Sequence, residues 1–361
     1  MQTLKGHEES VNGVALSPDG QMIATASGDN TVKLWNRQGK LLQIITGHKS
    51  WVNGVAFSPD GQMIATASDD KTVKLWNRQG QLLQTLTGHE SSVYGVAFSP
   101  DGQMIATASD DQTVKLWNPQ GKLLQIITGH KSWVNGVAFS PDGETIATAS
   151  GDKKVKLWNR QGQLLQTLTG HESSVNGVAF SPDGQMIATA SGDKTVKLWN
   201  QEGKLLRSLK EHKSLVNDVA FSPDGETIAT ASGDKTVKLW NRQGQLLQTL
   251  TGHESSVNGV AFSPDGQMIA TASGDKIVKL WNQEGKLLQI LKNHKNWVYA
   301  VAFSPDGETI ATASGDNTVK LWNDWKFSHY EWGCNWMRDY LENNPNVSES
   351  DKRLCDGVGS D

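Results

Sequence analysis

A histidine returns every 41 residues along this chain, at His7, His48, His89, His130, His171, His212, His253 and His294, and in most copies a glycine precedes it. A period of this length marks one supersecondary unit that cannot bury its apolar surface alone, so the copies must stack on one another. No linker interrupts the period between residues 1 and 323. One large repeat domain is therefore expected over 1–323, and a separate segment over 324–361, where the period stops and the composition changes.

Charge separates the two parts as well. The segment from 324 onward holds eight acidic and four basic residues, leaving 30 of each sign in the repeats, so the repeat body is neutral and the tail acidic. A net charge of -4 argues against a broad footprint for nucleic acid or an anionic membrane. No apolar stretch approaches the roughly 20 residues that cross a bilayer, and Met1 runs into Gln2-Thr3-Leu4-Lys5 without a charged and then apolar leader. Both cysteines, Cys334 and Cys355, fall in the tail, so the repeats are expected to hold together without disulfides in a reducing cytoplasm, as a monomer.

Residues 48–89 serve as the specimen unit. An apolar run from Val52 to Ser58 meets Ser58-Pro59-Asp60-Gly61, where proline presets φ, aspartate caps nearby backbone and glycine accepts positive φ. Met63 to Ser68 reads as a second strand, Asp69-Asp70-Lys71 turns it, and Thr72 to Trp76 is a third, rich in β-branched and aromatic residues. After Asn77-Arg78-Gln79-Gly80, Gln81 to Leu86 makes a fourth. Four strands in 41 residues leave no room for a helix. Apolar residues on both strand parities mean that both faces of the sheet need covering, and radial stacking around an axis provides the cover while leaving only short edges.

The unit resembles a WD40 repeat through Gly47-His48, Phe57-Ser58-Pro59-Asp60-Gly61, Ile64-Ala65-Thr66, Asp70 and Leu75-Trp76-Asn77, with Trp-Asn where the family commonly has Trp-Asp. The resemblance spans residues 1–323 and implies an all-β, eight-bladed WD40 β-propeller with four antiparallel strands per blade. The eight copies are too alike for one to be left out of the ring. Gln2-Thr3-Leu4 matches a fourth strand and the last unit stops at Trp322-Asn323 after its third, so by the family's manner of closure the N-terminal strand completes the last blade.

A histidine, a hydroxyl and a carboxylate in fixed order invite a catalytic reading of His48, Thr66, Asp70 and Trp76, or of His130, Thr148, Asp152 and Trp158. The resemblance implies instead a buried hydrogen-bond chain from indole through hydroxyl and imidazole to carboxylate, and eight identical copies do not make one asymmetric active site. The sequence holds no GxxxxGK[ST], HExxH or paired CxxC motif, and neither cofactor nor metal is expected. The expected function is non-catalytic, as a scaffold for protein or peptide contacts. Two alternatives stand beside it: the ligand-sensing end of a multidomain STAND/NACHT-type signalling NTPase, or a recently amplified or constructed propeller with no dedicated partner.

Variation among copies follows an 82-residue double unit. The residue after the histidine alternates between Glu and Lys from Glu8 and Lys49 to Glu254 and Lys295, and the third after it alternates between Ser and a large apolar residue. The Glu and Lys of neighbouring blades could pair if they meet. The resemblance places the partner-binding positions at the start of the first strand and just before the aspartate of each unit: Trp51, Asn53, Asp69, Tyr94, Asp110, Trp133, Asn135, Leu215, Trp297 and Tyr299. Large aromatic groups on a rim favour a protein or peptide as the partner. Asp218 in place of glycine, and Ala300 beside Tyr299, break the symmetry further.

In the tail, Trp332, Trp336 and Tyr340 share one helical face, Pro345 ends that helix, and Ser348 with Asp351 opens another. A short helical C-terminal extension is expected, with Cys334 near Cys355 as buried thiols, similar to the extension of highly repetitive cyanobacterial WD40 proteins.

Overall fold

In the computed structural model, which describes residues 1–323, the chain forms thirty-two strands in eight four-stranded antiparallel sheets. Blade 1 contains Val11–Leu16, Met22–Ser27, Val32–Asn36 and Leu41–Ile45, named here from inner to outer strand. Blade 2 repeats the order with Val52–Phe57, Met63–Ser68, Val73–Asn77 and Leu82–Leu86. The pattern advances to blade 8, whose three strands Val298–Phe303, Ile310–Ser314 and Val319–Trp322 are completed by Gln2–Leu4 from the other end of the described chain. Gln2 pairs with Leu321, Thr3 with Lys320 and Leu4 with Val319. Each inner strand touches that of the next blade, and that of blade 8 touches that of blade 1, so the ring of eight is closed as the sequence leads one to expect. Specimen strands three and four begin one residue later than their composition suggests.

The apolar core lies between blades, one cluster to each seam. Between blades 1 and 2, Met22, Ala24, Ala26, Val32, Leu34 and Ile45 pack against Val52, Ile64 and Trp76. At the closing seam Leu4, Ala311, Ala313, Val319 and Leu321 meet Val11, Ile23 and Trp35. Alanines in the second strand keep adjoining sheets close, and each fully buried leucine, isoleucine or valine contributes about 1.5–3 kcal/mol. Glycine in the inner strand serves the same close approach at Gly54, where a Cβ would sit 3.2 Å from the Tyr94 carbonyl of the next blade.

Cover is not complete, contrary to the expectation that both faces of every sheet are shielded. Outer-strand leucines such as Leu42, Leu83, Leu124 and Leu165 stay exposed around the circumference, because among the described residues no strand packs outside the fourth of each sheet. The Glu/Lys alternation after the histidines forms no ion pair among the described residues. Pairing runs on the opposite face, where Arg78 reaches Asp19, Arg160 reaches Asp101 and Arg242 reaches Asp183 at 2.7 Å each, and Arg37 bridges the closing seam to Asp306 at 2.7 Å. The helices read over 324–361, with Cys334 and Cys355, lie outside the described residues.

Candidate functional site

Every unit folds its polar residues into one hydrogen-bond chain. In blade 2 the Trp76 indole N–H donates to the Thr66 hydroxyl oxygen at 2.9 Å, that hydroxyl lies 2.8 Å from His48 Nε2, and His48 Nδ1 lies 2.8 Å from Asp70 Oδ2. Blade 4 repeats this through Trp158, Thr148, His130 and Asp152, at 3.0, 2.8 and 2.9 Å. An N–H on Nδ1 facing the carboxylate leaves Nε2 to accept from the threonine, which in turn accepts from the indole, so every atom of the chain is partnered. The threonines of all eight chains have no solvent exposure.

Burial lowers the pKa of His7, His130, His171, His212 and His294 against the opposing pull of the paired aspartate, favouring neutral imidazole. The carboxyls of Asp29, Asp193 and Asp234 sit at about 2: burial opposes their charge, but hydrogen bonds from Thr31, Thr195 and Thr236, together with the histidines and backbone N–H groups, outweigh it. That threonine, two residues after the aspartate, is a fifth member of the chain. It is present in six blades and replaced by Lys154 in blade 4 and Ile277 in blade 7, where only the backbone N–H reaches the aspartate. The Asp-x-Thr spacing is visible in the sequence.

The loops that carry these histidines and aspartates open on one face of the ring, as the contact from Asp69 N–H to the Trp51 carbonyl at 2.9 Å shows. Trp51, Trp133 and Trp297 stand on that face with 53%, 44% and 55% of their surface exposed, joined by Leu215 and Tyr94. Tyr299 is half-buried. The polar members of the set have partners within the ring. Asn53 donates to Asp69 at 2.7 Å and to the Val93 carbonyl of blade 3 at 3.1 Å, and Asn135 donates to the Val175 carbonyl of blade 5 at 2.8 Å. Equivalent bonds from Asn12, Asn176, Asn217 and Asn258 join other inner strands, so this asparagine ties blade to blade wherever tyrosine does not replace it. Asp110 accepts from the Ser91 hydroxyl at 2.9 Å. Burial, and then the charges of Asp110 and Asp69, push the Tyr94 phenol up.

Asp218 has a different role. It is the one charged residue on the eight inner strands, and it accepts from the Val219 N–H at 2.9 Å and from the Val260 N–H of blade 7 at 3.1 Å. Burial pushes its carboxyl up to about 6 against those two bonds. Among the described residues no group of three or more His, Cys, Asp or Glu side chains could hold a metal ion, and no helix is long and apolar enough to cross a membrane.

Eight radially stacked four-stranded sheets with a closing N-terminal strand and a buried Trp-Thr-His-Asp chain in each define a β-propeller of the repeat type. The chain belongs to the WD40-repeat β-propeller family. The family model described as WD domain, G-beta repeat, matches residues 1–36, 244–282 and 285–323, and the model described as WDR19 first beta-propeller matches residues 54–223. An uncharacterized WD repeat-containing protein of Synechocystis is 47% identical over 47 residues, 12% of this chain and 14% of its own length. Ribosome assembly protein 4 of Chaetomium thermophilum is 54% identical over 41 residues, 11% of this chain and 8% of that protein, and the Notchless protein homolog of Arabidopsis thaliana is 54% identical over 35 residues, 10% and 7%. The chain thus spans a seventh or less of these curated relatives, about one repeat of each. A crystal structure of the computationally designed Ika8 protein superposes with a TM-score of 0.80 at 30% identity, over 89% of this chain and 98% of that one.

Proposed function

We propose that this protein is a non-catalytic scaffold that holds a protein or peptide partner against the tryptophan-bearing face of its ring. The observation that carries the reading is the exposure of Trp51, Trp133 and Trp297 at equivalent positions of that one face. Folding alone gives no reason to leave three indoles in water, whereas aromatic anchors on a rigid frame are the usual energetic centre of a protein interface. Tyr94, Tyr299 and Leu215 extend the apolar surface, and Asn53, Asn135, Asp69 and Asp110 stand between the anchors with lone pairs or N–H groups to spare for a peptide backbone. WD40 propellers generally bind proteins, and the ribosome assembly and Notchless relatives share the repeat itself, which supports the scaffold role without naming a partner. The domain division at 323, a monomeric state and a cytoplasmic setting belong to the same reading.

The test is affinity capture from an extract of the host cells. Wild type and a Trp51→Ala, Trp133→Ala, Trp297→Ala triple variant are compared, with thermal melting measured in parallel. Specific retained proteins are expected with the wild type and lost with the triple variant at an unchanged melting temperature. Equal retention by both contradicts the proposal.

A further inference from the structure

The repeat allows each blade to be compared with seven internal controls, and one position on the tryptophan face differs from all of them. A cavity of about 360 Å³ opens over blade 1, lined by Glu8, Glu9, Asn12, Trp51, Tyr299 and Asn317 together with Ser10 and Gly28. It draws on blade 8, blade 1 and blade 2 in turn. The same eight places over every other blade include at least one lysine, for example Lys49 over blade 2, Lys71 over blade 3 and both Lys276 and Lys295 over blade 8. Over blade 1 there is none. Glu9 replaces the serine or asparagine of the other units, Tyr299 replaces the asparagine found in six of them, and Asn317 stands where five have lysine.

The geometry brings these substitutions together. The Asn317 side-chain N–H donates to the Glu8 carbonyl at 2.8 Å, closing the wall across the seam where the ring's ends meet. A Cβ placed on Gly28 would lie 2.9 Å from Glu9 Oε2 and 3.7 Å from Trp51 Cδ1, so carboxylate and indole flank the same spot. Neither glutamate carboxylate meets a cation among the described residues.

We propose that this cavity receives an arginine or lysine side chain of a partner peptide. The proposal rests on the peptide-scaffold reading and gives that partner its chemistry. Two carboxylates supply the opposite charge, while Trp51 and Tyr299 offer ring faces to the guest's aliphatic stem and its cationic head. An anionic guest would be repelled by both glutamates. A purely apolar guest would strip them of water and leave them unpaired. A cavity of this size takes one long side chain, and the surrounding tryptophan face takes the rest of the peptide.

The test selects a displayed library of random twelve-residue peptides on the immobilised full chain. Recovered peptides are then titrated against the wild type, Glu9→Ser and Trp133→Ala. Glu9→Ser places in blade 1 the residue most other blades carry, so the fold is retained, and melting checks this. The expected result is recovered peptides with a recurring arginine or lysine, whose affinity falls about tenfold or more on Glu9→Ser and on replacing that residue by neutral citrulline or norleucine, with weaker salt dependence in each case. Peptides that need Trp133 but carry no required basic residue and ignore Glu9→Ser overturn this pocket while leaving the scaffold reading in place. Recovery of no binding peptide counts against both.

Discussion

At the scale of single residues, the aspartate of each unit collects more partners than the tetrad alone provides. Asp70 takes His48, the Lys49 N–H, the Thr72 N–H and the Thr72 hydroxyl, whereas Asp152 and Asp275 lack the hydroxyl because Lys154 and Ile277 occupy its place. Lys154→Thr and Ile277→Thr should each stabilise the protein by about 0.5–1.5 kcal/mol, the net worth of one hydrogen bond, read as a rise in melting temperature. A fall or no change would show that the extra donor is not what those aspartates need. The displaced pKa values give a second expectation. Histidines whose pKa is lowered by folding bind fewer protons folded than unfolded below about pH 6.5, so stability falls as pH drops through that window. The aspartates held at about 2 add stability above their ordinary value near 3.8 and lose it as pH falls toward 2. Asp218 acts in the opposite sense, losing its contribution as pH rises through about 6. With five such histidines against one such aspartate, the melting temperature should decline from pH 7 to pH 5 and decline further below pH 4. A profile that rises between pH 7 and 5 contradicts the assignment of neutral imidazoles.

At the scale of strands and blades, much of the fold is legible in the sequence. Turn chemistry at Ser58-Pro59-Asp60-Gly61 and Asn77-Arg78-Gln79-Gly80 set the strand limits to within about a residue, because Gly61 and Gly80 do take the positive φ the turns demand, +67° and +74°. The tetrads were legible only through the resemblance to the WD40 repeat, which implied the chain that the His48, Thr66, Asp70 and Trp76 contacts form. The side-chain ties between neighbouring blades were not legible. Asn53 reads as a surface group on its own strand, and only the position of Val93 in blade 3 turns it into a tie between inner strands. The Arg78–Asp19 and Arg160–Asp101 bridges were hidden likewise, 59 residues apart in sequence and on the face away from the alternating Glu and Lys. These bridges are half-exposed, worth at most about 1 kcal/mol each, and follow the two-blade period more than they hold the ring.

At the scale of the whole molecule, everything else depends on the closed ring: the seams hold the core, the closing seam shapes the pocket over blade 1, and a rigid frame is what the proposed tryptophan anchors would need. Closure joins residues more than 300 positions apart, with the Lys320 amine donating to the Thr3 hydroxyl at 3.1 Å and Leu4 buried in the last seam. A ring of seven with blade 8 excluded would move the N-terminal strand onto the third strand of blade 7, Ile277–Asn282, and set Thr3 opposite Lys279 in place of Lys320. The decisive measurement is intramolecular disulfide formation, with Cys334 and Cys355 changed to serine, in a Thr3→Cys, Lys320→Cys variant and a Thr3→Cys, Lys279→Cys variant under mild oxidation. Rapid, nearly complete cross-linking within one chain for the first pair and none for the second is the result predicted here. Cross-linking through position 279, or only between separate chains, would contradict the eight-bladed closed ring.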